Sequence, residues 1–391
     1  MLHLEKTPGM LSLLAGKPHA STFPITSLNF TVRDPAGCGA DTHIALTKEE
    51  LDTGLQYNLT VGLPAFLEWL YGLQTRAHGR DKGEGWTITS GNGSQDLIYK
   101  AVTALVNPGD SVLIEAPVYA CVSMDSKGID SASLRVLLES WPSGKPKPKV
   151  LYTVPYGANP SGATATLERR LEVLELARDH DFFILEDDPY HYLYYGSSPR
   201  PPSYFALEKD QPEAGRVVRF DSLSKVLASG LRLGFVSAPT PIVAAINAHT
   251  DISNLQPNSL AQVLALAVLT RWGYDGFFAH TARVSAFYRA KRDVFELAMR
   301  RHLDGLAEWT PPEAGMFYWF KLLTGDGEDG DSNEVIRTTA FERGVLALPG
   351  AVFYPSRAKS AYVRASFSQL GEEDVDEALR RLRGALLDTR A

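Results

Sequence analysis

Asp221-Ser222-Leu223-Ser224-Lys225-Val226-Leu227-Ala228-Ser229-Gly230-Leu231-Arg232-Leu233-Gly234 is the stretch on which the reading of this chain turns. An apolar run at 216–220 leads into it, and 235–237 begins another strand-like run. A lysine held among hydroxyls and near a fixed cation suits Schiff-base chemistry, because such surroundings favour the neutral amine that attacks a carbonyl. Ser222, Ser224 and Arg232 also suit a phosphate, the arginine offering a planar fork of donors. The S-x-S-K spacing alone fits a solvated surface loop as well, so the rest of the chain has to decide.

The 391 residues exceed one ordinary core, which predicts two domains. Hydrophobic residues make up 44% and charged residues 22%, the balance of a soluble globular protein. A net charge of −7 argues against nucleic-acid binding. Cys38 and Cys121, the only cysteines, form neither a disulfide framework nor a zinc set, and the histidines are scattered; no metal is expected. No apolar run approaches the roughly 20 residues that span a bilayer, and residues 1–6 lack a secretory pattern. The expectation is a cytoplasmic protein with no membrane partner.

Residues 1–45 read as loop, punctuated by Gly16-Lys17-Pro18 and Phe23-Pro24. Leu55-Gln56-Tyr57 leads to a helix at 65–73, with Pro64 near its start. A β-rich run at 86–90 ends in Gly91-Asn92-Gly93-Ser94-Gln95-Asp96, and a helix follows at 97–106. A strand, glycine turn and helix start aim free N–H groups and a positive dipole end at an anion, although Ser94 or Asp96 could equally be a simple N-cap. Further strands at 111–115, 149–154 and 182–185 end at Tyr119, at Asn159-Pro160-Ser161-Gly162 and at Glu186-Asp187-Asp188-Pro189-Tyr190. Three successive acids would be costly if buried without partners, so they lie in a solvated loop or one pairs with a ligand cation.

Strands alternating with helices from about 85 to 240 predict an α/β fold with a mostly parallel sheet. Ligands of such sheets sit beyond the strands' carboxyl ends. Gly93 to Asp96, Tyr119, Asn159, Asp187, Tyr190 and Lys225 all fall there. Residues 241–305 read as helical. A smaller α+β unit follows, with strands at 316–322, 345–348 and 362–367, helices at 333–343 and 372–387, and Arg364 inside an apolar strand. Arginine in that setting is more often paired or ligand-bound than idle.

These residues together resemble the fold-type I, pyridoxal-phosphate-dependent aminotransferases of class I/II, in the kynurenine/2-aminoadipate and fungal aromatic branch. The resemblance covers nearly the whole chain. Besides the motifs above it rests on Thr89-Ser90-Gly91, Ala314-Gly315-Met316-Phe317 and Arg364-Ala365-Ser366-Phe367. It implies a seven-stranded-type sheet in a large domain at 46–275, a small domain at 276–391, and an N-terminal segment at 1–45 forming a substrate lid. Lys225 would hold the cofactor as a Schiff base and shuttle the proton between Cα and C4′. Asp187 would pair with the pyridine nitrogen, Asn159 and Tyr190 would bond its phenolic oxygen, and Tyr119 would stack on the ring. Ser94, Gln95, Ser222, Ser224 and Arg232 would hold the phosphate, with Tyr57 reaching in from the partner of a homodimer. Arg364 would bind the substrate carboxylate, Asn159 would lie beside it, and Gly16 would line the entrance. Relatives carry a helix and strand after the equivalent of Tyr119, whereas here Ala120-Cys121-Val122 runs straight on, so one sheet strand is expected to be missing. The implied reaction is transamination between an L-amino acid, aromatic, kynurenine-like or 2-aminoadipate-like, and a 2-oxo acid such as 2-oxoglutarate. The alternatives are β-elimination (a C–S lyase) on the same fold and a non-catalytic cofactor-binding regulator.

Overall fold

A computed structural model describes residues 8–9, 16–115, 122–323, 330–354 and 357–389. Among the described residues the chain forms fourteen short strands. Two lie within the N-terminal stretch read as loop: β1 (Asn29–Val32) and β2 (Thr42–Ala45), an antiparallel pair. Each has only four residues, with exposed and half-buried positions alternating, so neither carries the apolar run by which longer strands announce themselves.

The central sheet holds six strands: β3 (Trp86–Gly91), β4 (Val112–Ile114), β7 (Val150–Thr153), β8 (Phe183–Asp188), β9 (Val217–Ser222) and β10 (Gly234–Pro239). Between β4 and β7 lies a small antiparallel pair, β5 (Met124–Asp125) and β6 (Gly128–Ile129), which the sequence did not announce. The order across the sheet is β3-β10-β9-β8-β7-β4. Strands β9, β8, β7 and β4 run parallel, and β10 is antiparallel to both of its neighbours. The fold is thus α/β with a mixed, mostly parallel sheet, six-stranded among the described residues, as expected of a seven-stranded type short of one strand. Strand β4 ends one edge. Residues 116–121, with the expected stacking residue Tyr119, lie outside the described residues; Val122 returns to a single parallel bridge with Glu115.

Helices flank the sheet as the capping chemistry directs. Pro64 opens Pro64–His78, and Gly79 closes it at φ +65°, a conformation open to a glycine at no steric cost. The Thr166 side chain caps Leu167–Asp179, and the Asn258 side chain caps the long helix Ser259–Leu303. Helical runs at 259–269 and 277–302 follow the apolar periodicity, and they meet at a kink at Gly273, whose φ of +65° is not helical.

A second sheet, β11 (Ala307–Trp309), β12 (Phe317–Leu322), β13 (Leu348–Pro349) and β14 (Tyr362–Ser366), has the antiparallel order β11-β12-β14-β13. Tyr318, Phe320 and Leu322 of β12 are buried with Val363 of β14, Met299 and Leu303 of the long helix and Leu379 and Leu382 of helix Glu372–Asp388. On the other face Phe317, Trp319 and Lys321 stand beside Arg364, as the period of two requires. Among the described residues no helix is long and apolar enough to cross a membrane.

Candidate active site

The site is built on the carboxyl ends of β8 and β9. Their register sets Glu186 opposite Arg219, Asp187 opposite Phe220 and Asp188 opposite Asp221. All three successive acids are buried, so the solvated-loop reading fails. Arg219, which sequence reasoning passed over, is the cation that makes this burial tolerable. It is wholly enclosed, with Nη1 2.7 Å from Asp188 and 3.3 Å from Glu186. Its Nε and Nη2 donate to the two oxygens of Asp221 at 3.0 and 2.8 Å. Glu186 also accepts from the backbone N–H groups of Tyr204 and Phe205, and Asp221 accepts from Gln74 at 2.9 Å. Burial pushes Asp188 up to about 7, against the pull of Arg219.

Asp187, alternating with those two neighbours, makes different contacts. Its Oδ2 accepts the Tyr152 hydroxyl at 2.6 Å. Its Oδ1 is buried without a hydrogen-bond partner among the described residues. Burial pushes Asp187 up to about 6, while the Tyr152 hydrogen bond works downward. An unmet buried carboxylate oxygen is costly unless something donates to it.

Tyr190 is buried beside this acid, and burial first, then the Asp187 charge, push its phenol up to about 12. Its ring meets Phe317 edge-on at 6.4 Å. Asn159 and Arg364 come together although 205 residues apart: Arg364 Nη1 donates to Asn159 Oδ1 at 2.6 Å. The guanidinium lies 4.3 Å from the Phe317 ring centroid and 5.0 Å from that of Phe353. It is half-buried, which lowers its pKa from the ordinary arginine value.

The glycine turn after β3 makes a second face. Neither Ser94 nor Asp96 is the N-cap of helix Ser94–Leu105; Gly93 is, at φ +93°, with no side-chain cap. Asp96 instead accepts from the Asn92 N–H at 3.1 Å and from Lys100 at 3.0 Å. A Cβ on Gly93 would lie 2.7 Å from Arg232 Nη2, so the guanidinium sits directly over an uncapped helix start. Ser94 is the first helical residue and Gln95, exposed, the second. A Cβ on Gly234 would lie 2.5 Å from the Ser94 nitrogen, which puts β10 against the same turn.

Lys225 occupies a single π turn, Ser224–Ala228, immediately after β9. It is half-buried, and among the described residues its amine has no hydrogen-bond or ion-pair partner. Ser222 accepts from the Ser224 N–H at 3.2 Å, and His280 Nε2 lies 2.6 Å from the Val226 carbonyl. Two expected residues stand apart within this chain. Tyr57 is 52% exposed, its N–H bonded to the Gln56 side chain. Gly16 is exposed, with open space around it.

The family model for aminotransferase class I and II matches residues 45–382. The chain belongs to the class I and II aminotransferases. This aminotransferase is 44% identical to the aminotransferase tdiD of Emericella nidulans, over 98% of this chain and 91% of that protein. The aromatic aminotransferase Aro9 of Candida albicans superposes with a TM-score of 0.86 at 27% identity, covering 97% of this chain and 92% of that one. A Pyrococcus horikoshii kynurenine aminotransferase, solved with PMP and KYN as substrates and KYA as products, superposes with a TM-score of 0.77. It is 31% identical and covers 86% of this chain and 83% of its own.

Proposed function

We infer that this aminotransferase moves the amino group of an aromatic or kynurenine-like L-amino acid to a 2-oxo acid, using pyridoxal phosphate. The observation that carries the reading is the buried Asp187 Oδ1 at the end of a parallel strand, without a hydrogen-bond partner among the described residues. It fits a protonated ring nitrogen, as the uncapped helix start under Arg232 fits a phosphate and the partnerless Lys225 amine fits an aldehyde. When bound, the cofactor supplies an aldehyde that condenses with amines and a ring that takes up the electron pair released at Cα.

The chain's own residues do the rest. Lys225 Nζ anchors the cofactor at rest and, once displaced, takes the proton from substrate Cα and returns it at C4′. Asp187 keeps a proton on the ring nitrogen. Ser94, Gln95, Ser222, Ser224 and Arg232 grip the phosphate, while Asn159 and Tyr190 donate to the phenolic oxygen. Arg364 binds the α-carboxylate as a fork, and the faces of Phe317 and Phe353 beside it favour a planar substrate side chain. We assign 46–275 to the large domain and 276–391 to the small one, which brings Arg364 to the cleft. Residues 1–45, with Gly16, cover the entrance, and the exposed Tyr57 serves the phosphate of a second copy in a homodimer.

Lys225→Ala tests this. The wild type should turn yellow with pyridoxal phosphate and, given an aromatic amino acid without an oxo acid, convert it to the amine form. The variant should lose about 10⁴-fold in kcat. Release of pyruvate and ammonia in place of amine transfer would instead assign β-elimination.

A further inference from the structure

The geometry points to Tyr152 as a positioning residue, whose hydroxyl fixes one oxygen of Asp187 inside the protein and leaves the other for the cofactor's ring nitrogen. This rests on the transaminase reading above. Tyr152 lies on β7 opposite Leu185 of β8, one pleat short of the acid. Its ring packs beside the cores on both sides of the sheet, which alone would describe a filler. The hydroxyl is what a filler lacks a use for: it reaches Asp187 Oδ2 at 2.6 Å, the only hydrogen bond to this carboxylate among the described residues.

The consequence is electrostatic. Burial, then the Asp187 charge, hold the Tyr152 proton far above the ordinary phenol range, so the group stays a neutral donor at every working pH. A carboxylate that accepts from a phenol is a weaker base than a bare one. Facing a pyridinium N–H, such a carboxylate leaves the proton on nitrogen. Without the phenol the proton moves toward oxygen, and a neutral ring draws electrons less strongly. The other charges that bear on Asp187 are Asp221, which makes it more basic, and Arg219, which makes it less so. Both hold each other through two hydrogen bonds and remain in place when the hydroxyl goes.

Tyr152→Phe keeps the ring and deletes only the donor. The holoenzyme should be reconstituted with pyridoxal phosphate labelled with ¹⁵N in the ring. The variant's nitrogen resonance should move toward that of unprotonated pyridine. Cofactor affinity should fall about tenfold, the scale of one hydrogen bond to a charged group. The drop in kcat should exceed any change in KM, and in an Asp187→Asn background Tyr152→Phe should add nothing. An unmoved resonance and unchanged affinity would overturn the inference, even with a lower Tm of the apoprotein, which a packing role explains. That result beside a wild type whose colour depends on Lys225 would leave the transaminase reading standing. A wild type that takes up no cofactor would overturn both.

Discussion

The two ends of the candidate site are built in opposite ways. At the ring-nitrogen end, Glu186, Asp188 and Asp221 converge on one enclosed guanidinium, while Asp187 and Asp188 each keep one buried oxygen without a hydrogen-bond partner among the described residues. At the phosphate end, Gly93 provides no cap, Gln95 is exposed, and Lys225 and Arg232 make few contacts with the rest of the protein. One end is largely neutralised within the chain; the other leaves its cations without acidic partners among the described residues. The difference follows from charge. A dry cluster of acids must be neutralised internally or it will not fold, whereas cations at a helix start can wait in water until a phosphate joins them.

This contrast can be broken by substitution. The largest effect is expected for Arg219→Leu, which strands three carboxylates and should lower the unfolding free energy by about 3–5 kcal/mol in urea titrations. Equal stability to wild type would mean that the cluster is solvated.

Asp187→Asn should act in the reverse sense on the apoprotein. The carboxyl pKa rises from 3.8 to about 6 on folding. Its contribution is therefore complete below pH 3.8 and is lost as pH rises through about 6. At pH 8 the variant should be the more stable protein, by up to about 3 kcal/mol. The advantage should vanish near pH 4, as followed by Tm across pH. A site that costs stability and gains only through its ligand would be sharply marked by that crossover.

The smallest effect is expected at the open end. Arg232→Ala should leave the apoprotein Tm unchanged within error and weaken cofactor binding about tenfold, read by fluorescence titration. A fall in Tm would show that this end, too, is structurally closed.

The lysine turn, the glycine turn after β3 and the acids at 186–188 were legible because each joins a strand end to residues with few structural uses there. Arg364 was legible because an arginine in an apolar strand needs a reason. Arg219 offered the same signal inside the run 216–220, and there it was read as part of a strand leading to the lysine. Its partners lie on β8 and on its own strand, and only the inter-strand register brings Glu186 across from it. Tyr152 was hidden likewise, since an aromatic in a strand needs no explanation until its hydroxyl has a partner. The hairpin of β1 and β2 escaped because four-residue strands at half exposure have no periodicity to read. The break at Gly273 between two helical runs was legible, since a glycine between apolar-periodic stretches marks such a kink.

Arg364 is engaged within the chain itself: Asn159, on the loop after β7, accepts from its guanidinium at 2.6 Å. That bond is one of several ties between the two sheets' surroundings, beside the Tyr195 N–H to Glu313 carbonyl bond and the Tyr194–Ala314 bridge. Any carboxylate arriving at Arg364 therefore enters by exchange, and its affinity is the difference between two bonds to the same cation. An incoming anion that outbids the amide also releases the Asn159 side chain, so occupancy of Arg364 and the freedom of that amide are linked through a single nitrogen.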